Sequence, residues 1–106
     1  MVKEISVSEL AKMKENGEDF QLIDVREPHE YDIANIDGEL IPLATIAEAK
    51  DKISTEKKVV VHCRSGARSA QAIHFLQQKF GYENLFNLKG GILAYADEID
   101  PNLTKY

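Results

Sequence analysis

One cysteine, no tryptophan and three histidines in 106 residues leave little of the usual equipment for cross-linking or metal binding. A single cysteine excludes an internal disulfide framework and fits a reducing, cytoplasmic setting. His29, His62 and His74 stand at no usual zinc-ligand spacing from one another or from Cys63, so no metal and no cofactor is expected. Basic charge is also short. Thirteen Lys and Arg face eighteen Asp and Glu, a net charge of −5, which argues against nucleic acid or an anionic membrane as partner. The one basic pair outside the cysteine loop, Lys57-Lys58, reads as a solvated strand entry. No apolar run approaches the ~18 residues of a membrane span, and the opening MVKEISVSEL lacks a signal-peptide core.

What is present is the composition of a globular domain, 43% apolar and 29% charged. The length is enough for one core and too short for two, so residues 1–106 are read as one domain, and as a monomer. Short apolar runs alternate with helical patterns, which points to an α/β fold with a mainly parallel sheet. Strands are expected at Lys3–Ser6 (an edge), Phe20–Val25, Leu40-Ile41, Lys58–His62 and Asn84–Leu88. Helices are expected from a Ser6 or Ser8 cap to about Lys14 with Leu10, Ala11 and Met13 inward, over His29–Ala34 behind Pro28, and from a Thr45 cap to Ile53. Two more are expected: one after Cys63 with Ser69, Ala72, Ile73, Leu76 and Phe80 on one face and Gly81 past its end, and one over Ile92–Glu98. The tail, residues 100–106, is expected to fray or to pack along the surface.

The stretch VVVHCRSGARSAQ, residues 59–71, carries the chemistry. Cys63 ends a valine strand and precedes a helix, and in open α/β sheets ligands bind beyond the carboxyl ends of the strands. Helix starts expose N–H groups and favour anions, and Gly66 permits the backbone angles of an anion nest. Arg64 and Arg68 oppose the helix dipole at roughly 0.3–1 kcal/mol each. A local rule broken twice in five residues points to an anion at this place: a thiolate, a persulfide or an anionic substrate group. Depressing a thiol of pKa ~8.5 by about 2 units takes about 2.7 kcal/mol, within reach of inward amides, a helix terminus and one guanidinium. No general base is then needed. His62 neighbours Cys63 on the strand and so faces away from it, which assigns it to packing or hydrogen bonding. A buried strand-end residue is the bland alternative for Cys63. A cysteine phosphatase needs its arginine six places on, where this chain has Ser69, with Arg68 one short; the tighter loop suits a sulfur atom.

With Leu22-Ile-Asp-Val-Arg-Glu-Pro-His-Glu-Tyr31, Cys63-Arg-Ser-Gly-Ala-Arg-Ser69 and Leu88-Lys-Gly-Gly-Ile-Leu-Ala-Tyr95 in this order, the chain resembles the rhodanese family of sulfurtransferases over essentially its whole length. The resemblance implies a rhodanese-like, five-stranded, mostly parallel sheet with helices on both faces. It implies Cys63 as persulfide carrier, the backbone from Arg64 through Ser65, Gly66, Ala67 and Arg68 to Ser69 as the cradle of the outer sulfur, and Arg64 and Arg68 as ligands for the anionic end of a donor such as thiosulfate. A thiol or a protein would serve as acceptor, and a protein as alternative donor. Asp24, Arg26 and Glu30 of the first motif are expected to form a buried supporting set, and Gly90, Gly91 and Tyr95 to turn the chain and wall the pocket. Two positions depart from the pattern: Asn35 stands for a frequent histidine and Tyr95 for a frequent tryptophan. The segments Asn35–Leu43 and Leu88–Tyr106 look most similar to rhodanese domains fused to the adenylating enzymes of thiamine and molybdenum-cofactor synthesis. A binding module of the same fold without turnover, and an arsenate reductase or phosphatase, are the competing readings. A peroxide-type redox sensor would want a resolving cysteine, and the chain offers none.

Overall fold

The computed structural model describes residues 1–106 as a five-stranded sheet with helices on both sides. The strands are β1 (Lys3–Ile5), β2 (Gln21–Asp24), β3 (Glu39–Leu40), β4 (Val59–His62) and β5 (Leu85–Leu88). The helices are α1 (Val7–Glu15), α2 (Pro28–Ile33), α3 (Ala67–Phe80) and α4 (Gly91–Glu98). The strands lie in the order β1-β5-β4-β2-β3, and every neighbouring pair is parallel. β4 is central and buried throughout, as three consecutive valines require when both faces are covered.

Strand alternation divides the core in two. Val59, Val61 and Cys63 face α3, packing with Ala72, Ile73 and Leu76. Val60 faces the opposite layer, with Leu10 and Met13 of α1 and Ile92 and Tyr95 of α4. Local chemistry sets the helix ends. Ser6 Oγ accepts the Glu9 N–H and Glu9 Oε1 accepts the Ser6 N–H, both at 3.0 Å, a reciprocal box that starts α1. Val7, Leu10 and Met13 form its buried stripe, and Ala11 is only half-buried. Gly81, in the left-handed region at φ 72°, closes α3 by donating its N–H to Gln77.

One expected helix is absent. Between Leu43 and Ile53 the chain makes two 3-10 turns, Leu43–Thr45 and Lys50–Lys52, with a looser stretch between. The Thr45 hydroxyl turns back to donate to the Pro42 carbonyl at 2.9 Å, so it does not cap a helix forward. Ile46 and Ile53 still reach the core, carried there by short turns in place of a helix.

Candidate active site

Cys63 lies one residue beyond β4, and its side chain is buried in the layer facing α3. Two devices shape the loop that follows. Gly66, at φ 110°, turns the chain into the first residue of the fourteen-residue α3, whose N-terminus meets the sulfur. On the other side, the first turn of α4 docks on the loop: the Ile92 N–H donates to Cys63 O at 3.0 Å and the Leu93 N–H to Arg64 O at 3.1 Å. Two orphan donors of α4 are thereby satisfied. Because a trans peptide points its C=O and its N–H in opposite directions, anchoring these carbonyls on α4 turns the next two N–H groups, those of Arg64 and Ser65, the other way. Gly91 makes the docking possible. At φ 60°, a Cβ there would sit 2.5 Å from Arg64 O and 2.6 Å from Cys63 O.

The sulfur is the focus of this loop. Sγ accepts the Gly66 N–H at 3.1 Å and the Ser69 N–H at 3.4 Å, and lies 3.3 Å from Ser69 Oγ. Burial pushes the thiol up. The Ser69 hydroxyl, where it donates to Sγ, and the N–H groups of Ser69, Gly66 and Ser65 pull harder, and Cys63 is held below the ordinary thiol range. The chemistry available to this arrangement is that of a sulfur anion held at a helix N-terminus without a base beside it.

His62 is not such a base. It faces the opposite layer, fully buried, with Nδ1 3.3 Å from Cys63 O and Nε2 3.6 Å from Asp24 Oδ2, beyond hydrogen-bonding distance. Burial drives its pKa down, against the pull of Asp24, which favours the neutral imidazole. Tyr95, expected to wall the cysteine pocket, packs in that same opposite layer against α1, so the walling role falls to Gly91 and the start of α4.

The two arginines already have partners. Arg68 forms a two-pronged ion pair with Glu30 of α2, Nη1 to Oε1 at 2.6 Å and Nη2 to Oε2 at 2.8 Å. The guanidinium, helped against burial by the Glu27 N–H and the Tyr106 hydroxyl, holds the Glu30 carboxyl down at about 2. The anion that Arg68 implied is thus in the first place a carboxylate of the same chain. Arg64 donates to the main-chain oxygen of Tyr106, with Nε at 2.8 Å, and its guanidinium lies 5.1 Å from the Tyr106 ring centre. Beneath them Arg26, fully buried, is held by both oxygens of Asp24 and by the Ala34 carbonyl, and it donates to the Tyr106 hydroxyl at 2.8 Å. That hydroxyl donates in turn to Glu30 Oε2 at 2.9 Å. Asp24, Arg26 and Glu30 therefore form one buried network that reaches the cysteine loop through Arg68.

Sequence reasoning missed two members of the site. Asn87 of β5 is buried between the loop and α3, accepting from Ser69 Oγ at 2.5 Å and donating to Gly66 O at 3.1 Å. A polar residue inside the apolar run Leu85-Phe-Asn-Leu88 was its only local signal. Tyr106, eighty residues from Arg26, had none.

Against known proteins, residues 6–98 match the family profile described as "Rhodanese-like domain". A protein named sulfurtransferase from Allochromatium vinosum is 40% identical over 97 residues, covering 91% of this chain and 90% of that protein. The probable adenylyltransferase/sulfurtransferase MoeZ of Mycobacterium tuberculosis is 37% identical over 105 residues; 96% of this chain is covered, but the chain spans only 26% of MoeZ. Among solved structures, a rhodanese-related protein from Thermoplasma volcanium superposes with a TM-score of 0.77 at 33% identity, covering 92% of this chain and 93% of that one. A rhodanese-like domain protein from Staphylococcus aureus gives 0.82 at 28% identity, with 92% and 95% covered.

Proposed function

The chain belongs to the rhodanese-like family, and on that premise we propose that it transfers sulfane sulfur from thiosulfate or another sulfur donor to a thiophilic acceptor through a persulfide on Cys63. One observation carries the reading. The only cysteine sits where the Gly66 and Ser69 N–H groups converge at the N-terminus of α3, and its thiol is held below the ordinary range.

The reaction has two halves. In the first, the Cys63 thiolate attacks the outer sulfur of thiosulfate; a new S–S bond forms, the S–S bond of the donor breaks, and sulfite leaves with the bonding pair. In the second, a nucleophile such as cyanide or a thiolate takes the outer sulfur and returns the Cys63 thiolate. A covalent enzyme alternating with a free one predicts ping-pong kinetics. The loop from Arg64 to Ser69 holds the sulfur anion, with Ser65, Gly66, Ala67 and Ser69 acting through main-chain N–H groups. Arg64 and Arg68 set the positive potential at the mouth. Asp24, Arg26 and Glu30 fix Arg68. Relatives of the MoeZ kind, which join this domain to an adenylyltransferase, support a protein as donor or acceptor. No helix is long and apolar enough to cross a membrane.

The pairing of Arg68 with Glu30 also argues against a phosphatase, since that guanidinium is turned to α2 and Ser69 occupies the sixth place after the cysteine. A binding module without turnover is favoured by two facts: Cys63 is 1% exposed, and both loop arginines have internal partners. Mass spectrometry after thiosulfate treatment separates the readings. One added sulfur on Cys63, released by cyanide as thiocyanate and absent from Cys63→Ser, is expected. An unmodified protein under saturating thiosulfate and under a low-molecular-weight persulfide donor would leave the binding module standing.

A further inference from the structure

The polar groups around Cys63 include one whose proton can be traced. Asn87 is 4% exposed, and its two amide ends face different partners. The Nδ2 end meets Gly66 O at 3.1 Å, a carbonyl that also accepts the Ala70 N–H and can only accept. Turning the amide over would set two carbonyl oxygens against each other, so Oδ1 is the end that faces Ser69. Oδ1 can likewise only accept, and Ser69 Oγ lies 2.5 Å from it, a short hydrogen bond that takes the single hydroxyl proton of Ser69. What Ser69 then presents to Cys63 Sγ, 3.3 Å away, is a lone pair.

We infer that Asn87 is a positioning residue for the sulfur chemistry, setting the direction of the Ser69 proton and thereby which form of Cys63 the loop prefers. With the proton on the Asn87 side, Ser69 Oγ accepts from the S–H of a thiol and opposes a thiolate. The thiolate is then held by main-chain N–H groups alone, and the hydroxyl can help it only by releasing Asn87, which places two oxygens 2.5 Å apart with no proton between them. A persulfide changes the balance. Its inner sulfur is divalent and uncharged, its charge lies on the outer sulfur, and Ser69 can keep its bond to Asn87. The arrangement disfavours the bare thiolate relative to the loaded persulfide. The groups that set the field around Cys63 are separate from this pair: Arg68 on α3 is tied to Glu30 of α2, Arg64 in the loop is tied to Tyr106, and His62 lies in the opposite layer.

This inference deepens the sulfur-transfer reading, and its test needs no turnover: the pH dependence of Cys63 alkylation by iodoacetamide, with intact mass as readout. Asn87→Ala frees the Ser69 proton for the thiolate, so the midpoint is expected to fall by about one pH unit, or roughly tenfold more thiolate at a pH below it. Ser69→Ala alone is expected to move the midpoint by less than about 0.3 unit, whereas added to Asn87→Ala it should cancel the fall. A purely structural Asn87, which merely anchors Gly66, predicts the reverse sign: the N–H groups drift from Sγ, the midpoint rises, and it does so equally with or without the Ser69 hydroxyl. That result, or a rise of a full unit in Ser69→Ala alone, overturns the inference. A protein that alkylates as expected but never gains sulfur from any donor would instead overturn the sulfur-transfer reading while leaving the Asn87 effect intact.

Discussion

Replacing Glu30 by glutamine tests how much of the site is held by one ion pair. The carboxylate accepts four hydrogen bonds: two from Arg68, one from the Glu27 N–H and one from the Tyr106 hydroxyl. Its pKa falls from 4.5 to about 2, with Arg68 as the leading cause. That lowering corresponds to about 3 kcal/mol of preference for the ionised form. The Arg68 side chain is 34% exposed, and solvent screening reduces the net contribution to about 1–2 kcal/mol. Glu30→Gln keeps the shape and removes the charge, so it should lose that amount at pH 7, measured as the difference in urea unfolding free energy at constant m-value. The pH dependence gives the sharper check. A carboxyl with a lowered folded pKa stabilises fully above its unfolded value of 4.5, and this stability is lost as pH falls toward 2. The gap between parent and variant should therefore narrow by more than half between pH 7 and pH 3. A gap of the same size at both pH values would refute the electrostatic account and leave only lost shape or hydrogen bonding.

Further consequences follow from single contacts. Gly91→Ala places a methyl 2.5 Å from Arg64 O at a left-handed backbone position, and should destabilise the protein by about 2 kcal/mol or more in thermal unfolding; an unchanged Tm would refute the tight docking of α4 on the cysteine loop. Tyr106→Phe keeps the ring over both guanidinium groups but removes the hydroxyl shared by Arg26 and Glu30, with an expected loss of about 1 kcal/mol in denaturant titration. If that loss also appears in the Glu30→Gln background at full size, the two residues are not acting through the same network. Ser6→Ala removes the box that starts α1, far in sequence from the cysteine loop; about 1 kcal/mol of stability should go, with Cys63 alkylation unaltered in the folded protein.

Most of the fold was legible because its signals are local. Three valines in a row, a capping serine at position 6 or 8 and a glycine after an apolar helical face each act over a few residues, and β4, α1 and α3 formed where those signals stood. The failure between Thr45 and Ile53 has the same origin seen from the other side: Thr45 was read as a cap, but its hydroxyl donates back to the Pro42 carbonyl, and short turns bury Ile46 and Ile53. In the site, strand alternation was enough to put His62 and Cys63 on opposite faces.

By itself, then, the sequence determined every strand and all the helices but the one expected between Thr45 and Ile53, the place of Cys63 at the end of the central strand, the glycine turn into α3 and the family resemblance carried by three motifs. Each rests on backbone preference or on residues close in the chain. Only the tertiary structure decided who partners the charges and where the protons lie. Arg68 reads in sequence as a cation awaiting an anion, and in space that anion is first Glu30, thirty-eight residues away. Ser69 reads in sequence as the end of the sulfur cradle, and in space its hydroxyl donates to Asn87 on the neighbouring strand. Hydrogen bonds and ion pairs reach about 3 Å without regard to separation along the chain, so the tuning of the sulfur became visible only once the sheet had brought β4, β5, α2 and α3 to one edge.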